Sequence, residues 1–399
     1  MNRNNLFAIL FVFYSAALLT AGYWMGQSGW PLAELGLATP ALSADDQEAL
    51  APLFETWNLI NEHYYDQPID QEATVQGAIE GMLATLGDPH TRYLPPDAEA
   101  AARSAMEGEM EGIGVLVEEV EGRITVVSPF EGSPAGRAGL QAGDVLLAAD
   151  GVELTGLGLD VAASLIRGPA GTDVLLLIER EGETFEVSVT RDVFEVPSVR
   201  GEMLEEGVAY VRLSSFANRT AEELDAILDE LLAQEPKGLI LDLRGNPGGG
   251  LEPALDVADA FLNEGIVLVE RFGSGEERVY RSTDGEAGEE IDMVVLIDEG
   301  SASASEVLAG ALRDRGRAIL IGATSYGKGT VQTWHALSNG GGVRITVARW
   351  LTPDGNWVSE AGLEPEEVVP LPGVGEPIED TQLQAAIDYF TGVETTAQP

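Results

Sequence analysis

The chain opens on an apolar run from Leu6 to about Met25 (LFAILFVFYSAALLTAGYWM) that holds no charged side chain. About 20 residues at ~1.5 Å each are enough to span a hydrocarbon core of ~30 Å. Arg3 precedes the run and the next basic residue is Arg92, a bias that predicts an N-terminus held inside and an exported body. Residues 1–27 therefore read as a single transmembrane helix that anchors the chain, with a cleaved signal peptide as the alternative. Residues 28–44 are a Pro/Ala/Gly-rich tether. From 45 to 110 the period is helical, with Leu53, Trp57 and Ile60, then Val75, Ile79, Met82 and Leu83, at helix spacing. Gly87-Asp88-Pro89-His90-Thr91-Arg92-Tyr93 breaks it, and His90 reads as a loop residue.

Residues 111–192 change to short alternating segments. Gly112-Ile113-Gly114-Val115 leads into a strand, and Arg123–Ser128 and Asp144–Ala149 follow. Asp150-Gly151 and Glu181-Gly182 are hairpin turns, and a short helix is expected to bury Val161, Leu165 and Ile166. From 193 to 376 strands alternate with helices. Thr220-Ala-Glu-Glu223 has the spacing of a capping box ahead of Leu224, Ile227, Leu228, Leu231 and Leu232. Gly238–Leu243, Met293–Ile297 and Ala318–Ile321 are continuous apolar runs, each followed by glycine-rich sequence. The pattern predicts βαβ units on a largely parallel sheet. Residues 377–399 hold a last helix near Gln382–Tyr389 and a tail.

Composition changes this picture in three ways. The 67 acidic and 22 basic residues leave a net charge of −45, which repels phosphate backbones and excludes a nucleic-acid partner. Cysteine is absent and the three histidines, His63, His90 and His335, are scattered, so thiol chemistry and a metal centre are not expected and no cofactor is implied. Lysine occurs only at Lys237 and Lys328. The second lies in a glycine-rich loop.

In open α/β sheets reactive groups gather at the carboxyl ends of strands. Here those ends carry RGNPGGG (244–250), EGSASASE (299–306) and GATSYGKGT (322–330). Gly322-x-x-x-x-Gly327-Lys328 imitates a phosphate-binding loop. Gly329 stands where Ser or Thr is needed, and the sequence after it alternates like a strand instead of opening a helix. A Ser–His–acid triad lacks its G-x-S-x-G elbow. A serine paired with a lysine remains, because burial can lower an amine's pKa until it serves as a base. The residues alone leave this level with a bland alternative, in which Ser303 caps a helix and Lys328 is solvated.

GSASASE (300–306), GKGTVQ (327–332) and LRGNPGG (243–249), in this order of function but spread along the chain, resemble the signature of the carboxyl-terminal processing peptidases, tail-specific proteases of the S41 type. Residues 111–192 resemble their PDZ domain, and the likeness extends over roughly 45–390. The resemblance implies a crotonase/ClpP-like α/β core with an inserted PDZ domain. It makes Ser303 the nucleophile, Lys328 the general base and Gln332 the residue that orients the lysine. The N–H of Ala304 and that of Gly248 or Gly249 would form the oxyanion hole. Gly112, Ile113, Gly114 and Val115 would bind a substrate's C-terminal carboxylate. Ser301 and Ser305 are the competing serines. Implied partners are proteins or peptides with apolar C-termini, together with the membrane through the N-terminal segment; homo-oligomerisation is left open. A catalytically idle, membrane-tethered PDZ scaffold is the alternative function.

Overall fold

The computed structural model describes residues 42–120, 122–130, 132–284, 288–370 and 380–392. The transmembrane or signal assignment of residues 1–27 lies outside them. Among the described residues no helix is long and apolar enough to cross a membrane. The chain divides into two compact units, residues 1–75 and 76–399. In the first, Ser43 caps the helix Ala44–His63 by accepting from the Asp46 N–H. Contrary to a core-forming face, none of that helix's residues is buried, and Leu53 stays 43% exposed.

In the larger unit a six-stranded sheet forms the base. Its strands run in the order Val199–Met203, Ala209–Leu213, Leu239–Asp242, Met293–Ile297, Ala318–Gly322, Glu367–Val368. All neighbours are parallel except the first pair. Central strands of such a sheet are covered on both faces and so become uniformly apolar; Met293–Ile297 is buried at every position. Alternate residues serve opposite cores. Leu239, Leu241, Val295 and Ile297 pack with the helices Thr220–Leu232, Leu251–Asp259 and Ala304–Asp314. Ile240, Val294 and Leu296 pack with Ala385, Ala386 and Ile387 of the helix Thr381–Thr391.

A second sheet orders Arg92–Leu94, Gly342–Leu351, Gly265–Phe272 and Glu277–Ser282, with Thr330–Ala336 also paired to Gly342–Leu351. The short ladder Glu109–Gly112 with Asp192–Glu195 brackets a separate antiparallel sheet of strands between 115 and 190. That sheet has its own core, including Ile113, Ile124, Leu146, Leu176 and Ile178. Both expected hairpin turns form, with positive φ at Asp150 and Gly151 and at Glu181 and Gly182.

Two local expectations fail. The helix Leu159–Ile166 buries Ala162 and Ile166 and leaves Val161 52% exposed, since its inward face is set by residues four apart. The expected capping box at Thr220 does not form, because Arg219 occupies the cap position. Thr220 Oγ1 instead accepts from the Ala217 N–H. Glu223 reaches away to accept from the N–H groups of Ser198 and Val199.

Candidate active site

Ser303 stands at the start of the helix Ala304–Asp314 with φ 58° and ψ −115°. Positive φ is costly for a residue with a β-carbon, and such strain persists only where the surroundings enforce it. Here the flanking serines help to enforce it. Ser301 Oγ donates to Leu243 O at 2.8 Å and accepts from the Asp298 N–H, while Ser305 Oγ donates to Asn246 O at 2.9 Å. Both are fully buried, so of the three serines only Ser303 faces the cleft described below. Because the helix begins at Ala304, Ser301 lies outside it and never shares a helical face with the others.

Glu306, three residues on, is fully buried and joins the serine to the lysine loop. Its Oε2 accepts from the Ser303 N–H at 2.8 Å and the Lys328 N–H at 2.9 Å. Its Oε1 accepts from Ser325 Oγ and the Gly327 N–H, both at 2.6 Å. The loop is fastened from the other side as well: Trp350 Nε1 donates to Lys328 O at 2.9 Å and Trp357 Nε1 to Gly329 O at 2.7 Å. The strand Thr330–Ala336 follows directly, where a phosphate-binding loop would need a helix. Lys328 is half-buried, and its amine is pushed below the ordinary lysine value by burial, then by the cations Arg344 and Arg92; Glu306 and Asp88 act in the opposite sense.

The turn after Leu239–Asp242 approaches the serine closely. A β-carbon on Gly248, at φ 100°, would lie 2.8 Å from Ala302 O and from Ser303 Cβ. The Gly248 N–H donates to Asn246 Oδ1 at 2.9 Å. Asn246 Nδ2 in turn donates to Leu213 O, so this side chain braces the turn. Gly248→Ala is expected to lower kcat by about two orders of magnitude, the size of an ångström-scale misplacement of reacting groups, with a smaller change in KM, because the added methyl would push on Ala302 O and Ser303; steady-state kinetics check it. Further back, Arg244 holds the turn to the last helix. It donates to the fully buried Asp242 at 3.0 and 2.7 Å and to Asp380 at 2.7 and 2.9 Å.

Ser303, Ala304, Lys328, Gln332, Gly248 and Gly249 all line one cleft of ≈ 470 Å³. A register shift between Val331 and Gln332 re-aims the strand there, as bulges do. Gln332 Nε2 donates to Thr330 Oγ1 at 2.8 Å and Thr346 Oγ1 at 3.3 Å. The cleft thus gathers a hydroxyl, a pKa-depressed amine and glycine-rich backbone, which is equipment for acyl transfer. His90 belongs to a turn, its N–H donating to Asp88 Oδ1.

In the β-rich module Gly112, Ile113, Gly114 and Val115 form the entry to the first strand. Gly114 has φ 69°, and a β-carbon on it would lie 2.5 Å from Ser133 Cβ, so only glycine fits. The carbonyls of Ile113 and Gly114 accept from Ala135 and Phe130, which turns the intervening N–H groups away from those partners.

Sequence reasoning passed over Glu306 and Asp380. Ser303-x-x-Glu306 is itself the spacing of a capping box, and that signal was available. Asp380 had none, standing 136 positions from Arg244.

Comparison with known proteins agrees with this chemistry. Residues 207–369 match the model of peptidase family S41, residues 125–180 that of the PDZ domain, and residues 27–99 that of the activating protease CtpB N-terminal domain. Carboxy-terminal processing protease CtpA of Bacillus subtilis is 38% identical over 323 residues, 80% of this chain and 69% of its own. The carboxyl-terminal-processing protease of Synechocystis is 36% identical over 388 residues, 90% of each chain. Among solved structures, the photosystem II D1 C-terminal processing protease matches with a TM-score of 0.51 at 29% identity, over 87% of this chain and 97% of that one. The chain belongs to peptidase family S41, as a serine peptidase of the carboxyl-terminal processing kind with a PDZ domain.

Proposed function

We propose that the protein is an endopeptidase that uses Ser303 and Lys328 to cut exported proteins near their C-termini, its PDZ domain reading the free apolar terminus. The observation that carries this reading is the meeting of Ser303 with a pKa-depressed Lys328 in one cleft. Neutral Lys328 takes the Ser303 proton as Oγ attacks the peptide carbonyl, then returns it to the departing amine. Water then attacks the acyl-enzyme, Lys328 taking a proton from the water and passing it to Ser303 Oγ as the ester bond breaks. The oxyanion falls to the N–H of Ala304 and that of Gly249, since Asn246 already takes the N–H of Gly248. Gln332 spends its amide nitrogen on two threonines, which leaves its oxygen to accept from the lysine and orient it. Family membership disfavours the idle scaffold. The N-terminal segment would hold the enzyme at the membrane or be removed on export.

The base has a pH signature. Activity needs the neutral amine, so kcat/KM rises as pH increases through the free-enzyme pKa of Lys328. Burial and the two arginines lower that pKa, so the rise is expected below the reference of about 10.4. A pH–rate profile that climbs only at the reference value would return Lys328 to a solvated role.

The PDZ reading is tested with one peptide prepared with a free and with an amidated C-terminus. Among the described residues the N–H groups of Ile113 and Gly114 have no partner, which suits a carboxylate, and amidation removes that charge while leaving every scissile bond unchanged. Cleavage of the amidated form is expected to be at least about tenfold slower, the scale of one charge-assisted hydrogen bond. Equal rates for the two forms would mean that the domain does not read termini.

A further inference from the structure

The cleft holds a cation to which the proposed chemistry gives no contact with the substrate. Arg344 lines it beside Lys328 and Gln332, and among the described residues its buried Nε has no hydrogen-bond partner. Among the described residues its guanidinium enters no ion pair within 4.0 Å. Glu99, the carboxylate that acts on it, is already engaged by Arg103 Nη2 at 3.0 Å and by Trp334 Nε1. Register makes the position more costly still, for Arg344 lies directly opposite Arg92 on the neighbouring strand. Like charges so placed destabilise a sheet, and a buried donor without a partner adds to the cost. Both occur in a chain of net charge −45, where carboxylates to neutralise them are abundant. On the far side Trp334 faces Arg344 in register and lies under the guanidinium, 4.1 Å from ring centroid to Cζ, which fixes the plane of the fork.

We propose that Arg344, with Arg92 opposite it in register, is a subsite of the cleft that takes a carboxylate of the substrate, either an acidic side chain near the scissile bond or the α-carboxylate of a short tail. A guanidinium stays charged and presents a planar fork matched to a carboxylate. The ordered but unpartnered fork is the empty half of such a pair. The proposal rests on the cleft being the peptidase site, and it adds a selectivity separate from that of the PDZ domain.

The test uses full-length protein and three peptides of one sequence: an uncharged form with an amidated end, the same form with glutamate scanned through the residues flanking the cut, and the uncharged form with a free end. Wild type is expected to favour at least one carboxylate-bearing peptide over the uncharged one by about ten- to hundredfold in KM, and less so at high salt. Arg344→Gln is expected to collapse that ratio, and Arg344→Lys to keep part of it. Loss of the ratio for internal glutamate assigns a side-chain carboxylate, and loss for the free end assigns the terminus. The proposal is overturned if Arg344→Gln keeps both ratios, or keeps them while the rise of kcat/KM moves to higher pH, which would make Arg344 only an electrostatic neighbour of Lys328. Should Arg344→Gln fail to fold, an Arg344→Lys enzyme with undiminished discrimination overturns it equally. Cleavage that survives Ser303→Ala would instead sink the assignment of the cleft.

Discussion

Ser303→Ala protein is expected to fold like the parent and to lose peptide cleavage by about four to six orders of magnitude, the range seen when a serine nucleophile or its base is removed. Thermal stability should change little, because Ser303 Oγ faces the cleft and its N–H bond to Glu306 is kept by alanine. Lys328→Arg should be as inactive as Lys328→Ala, since a guanidinium does not give up its proton. Ser301→Ala and Ser305→Ala make the contrast. Each deletes a buried hydrogen bond to the turn at 243–246, costing about 1–3 kcal/mol, yet each leaves the nucleophile in place. Rates measured on a denatured protein with an apolar C-terminus, beside melting curves, separate the two classes. Full activity of Lys328→Arg would overturn the base assignment.

Glu306→Ala should damage both stability and rate. Four donors, the N–H groups of Ser303, Gly327 and Lys328 and the Ser325 hydroxyl, converge on this carboxylate. Alanine strands them in a buried site, at a cost of about 3–5 kcal/mol and a fall in Tm on the order of 10 °C. The same bonds tie the backbone of the nucleophile to that of the base, so kcat should fall even in the fraction that remains folded. Glu306→Gln should be intermediate. With its oxygen turned to Ser303 and Lys328, only the Gly327 N–H confronts the amide nitrogen, while the Ser325 hydroxyl can turn to accept. A Gln variant with wild-type kcat and Tm would show that the negative charge plays no part in joining the two segments.

Much of this was legible in the sequence, for identifiable reasons. Met293–Ile297 carries no polar residue, and a strand buried on both faces requires that. The pairs Asp150-Gly151 and Glu181-Gly182 marked their hairpins because glycine takes the second positive φ without strain. Where apolar spacing alone had to choose a helical face, it misplaced Val161, because alanine at 162 is small enough to be buried without standing out as hydrophobic. Thr220 failed as a cap for another reason. Its motif was local, but Glu223 found better donors 24 and 25 residues away. The clamp of Arg244 on Asp380 and the opposition of Arg92 and Arg344 join residues far apart in the chain, and no periodicity encodes them.

The depletion of lysine gives the half-buried amine a practical consequence in protein labelling. Amine-directed reagents attack the unprotonated form, which burial favours at Lys328, whereas Nζ of Lys237 lies on the surface and donates to Glu206 O at 2.8 Å. At mildly alkaline pH a small acylating reagent should therefore modify Lys328 before Lys237, with the α-amino group as the other reactive amine. Peptide mapping after partial reaction is expected to find the adduct on Lys328 in step with loss of activity, and a bound substrate should shield it. An equal yield at Lys237 would indicate that the cleft amine is no more reactive than one in solvent. On a surface otherwise almost blank to such reagents, counting adducts becomes a way of counting working sites.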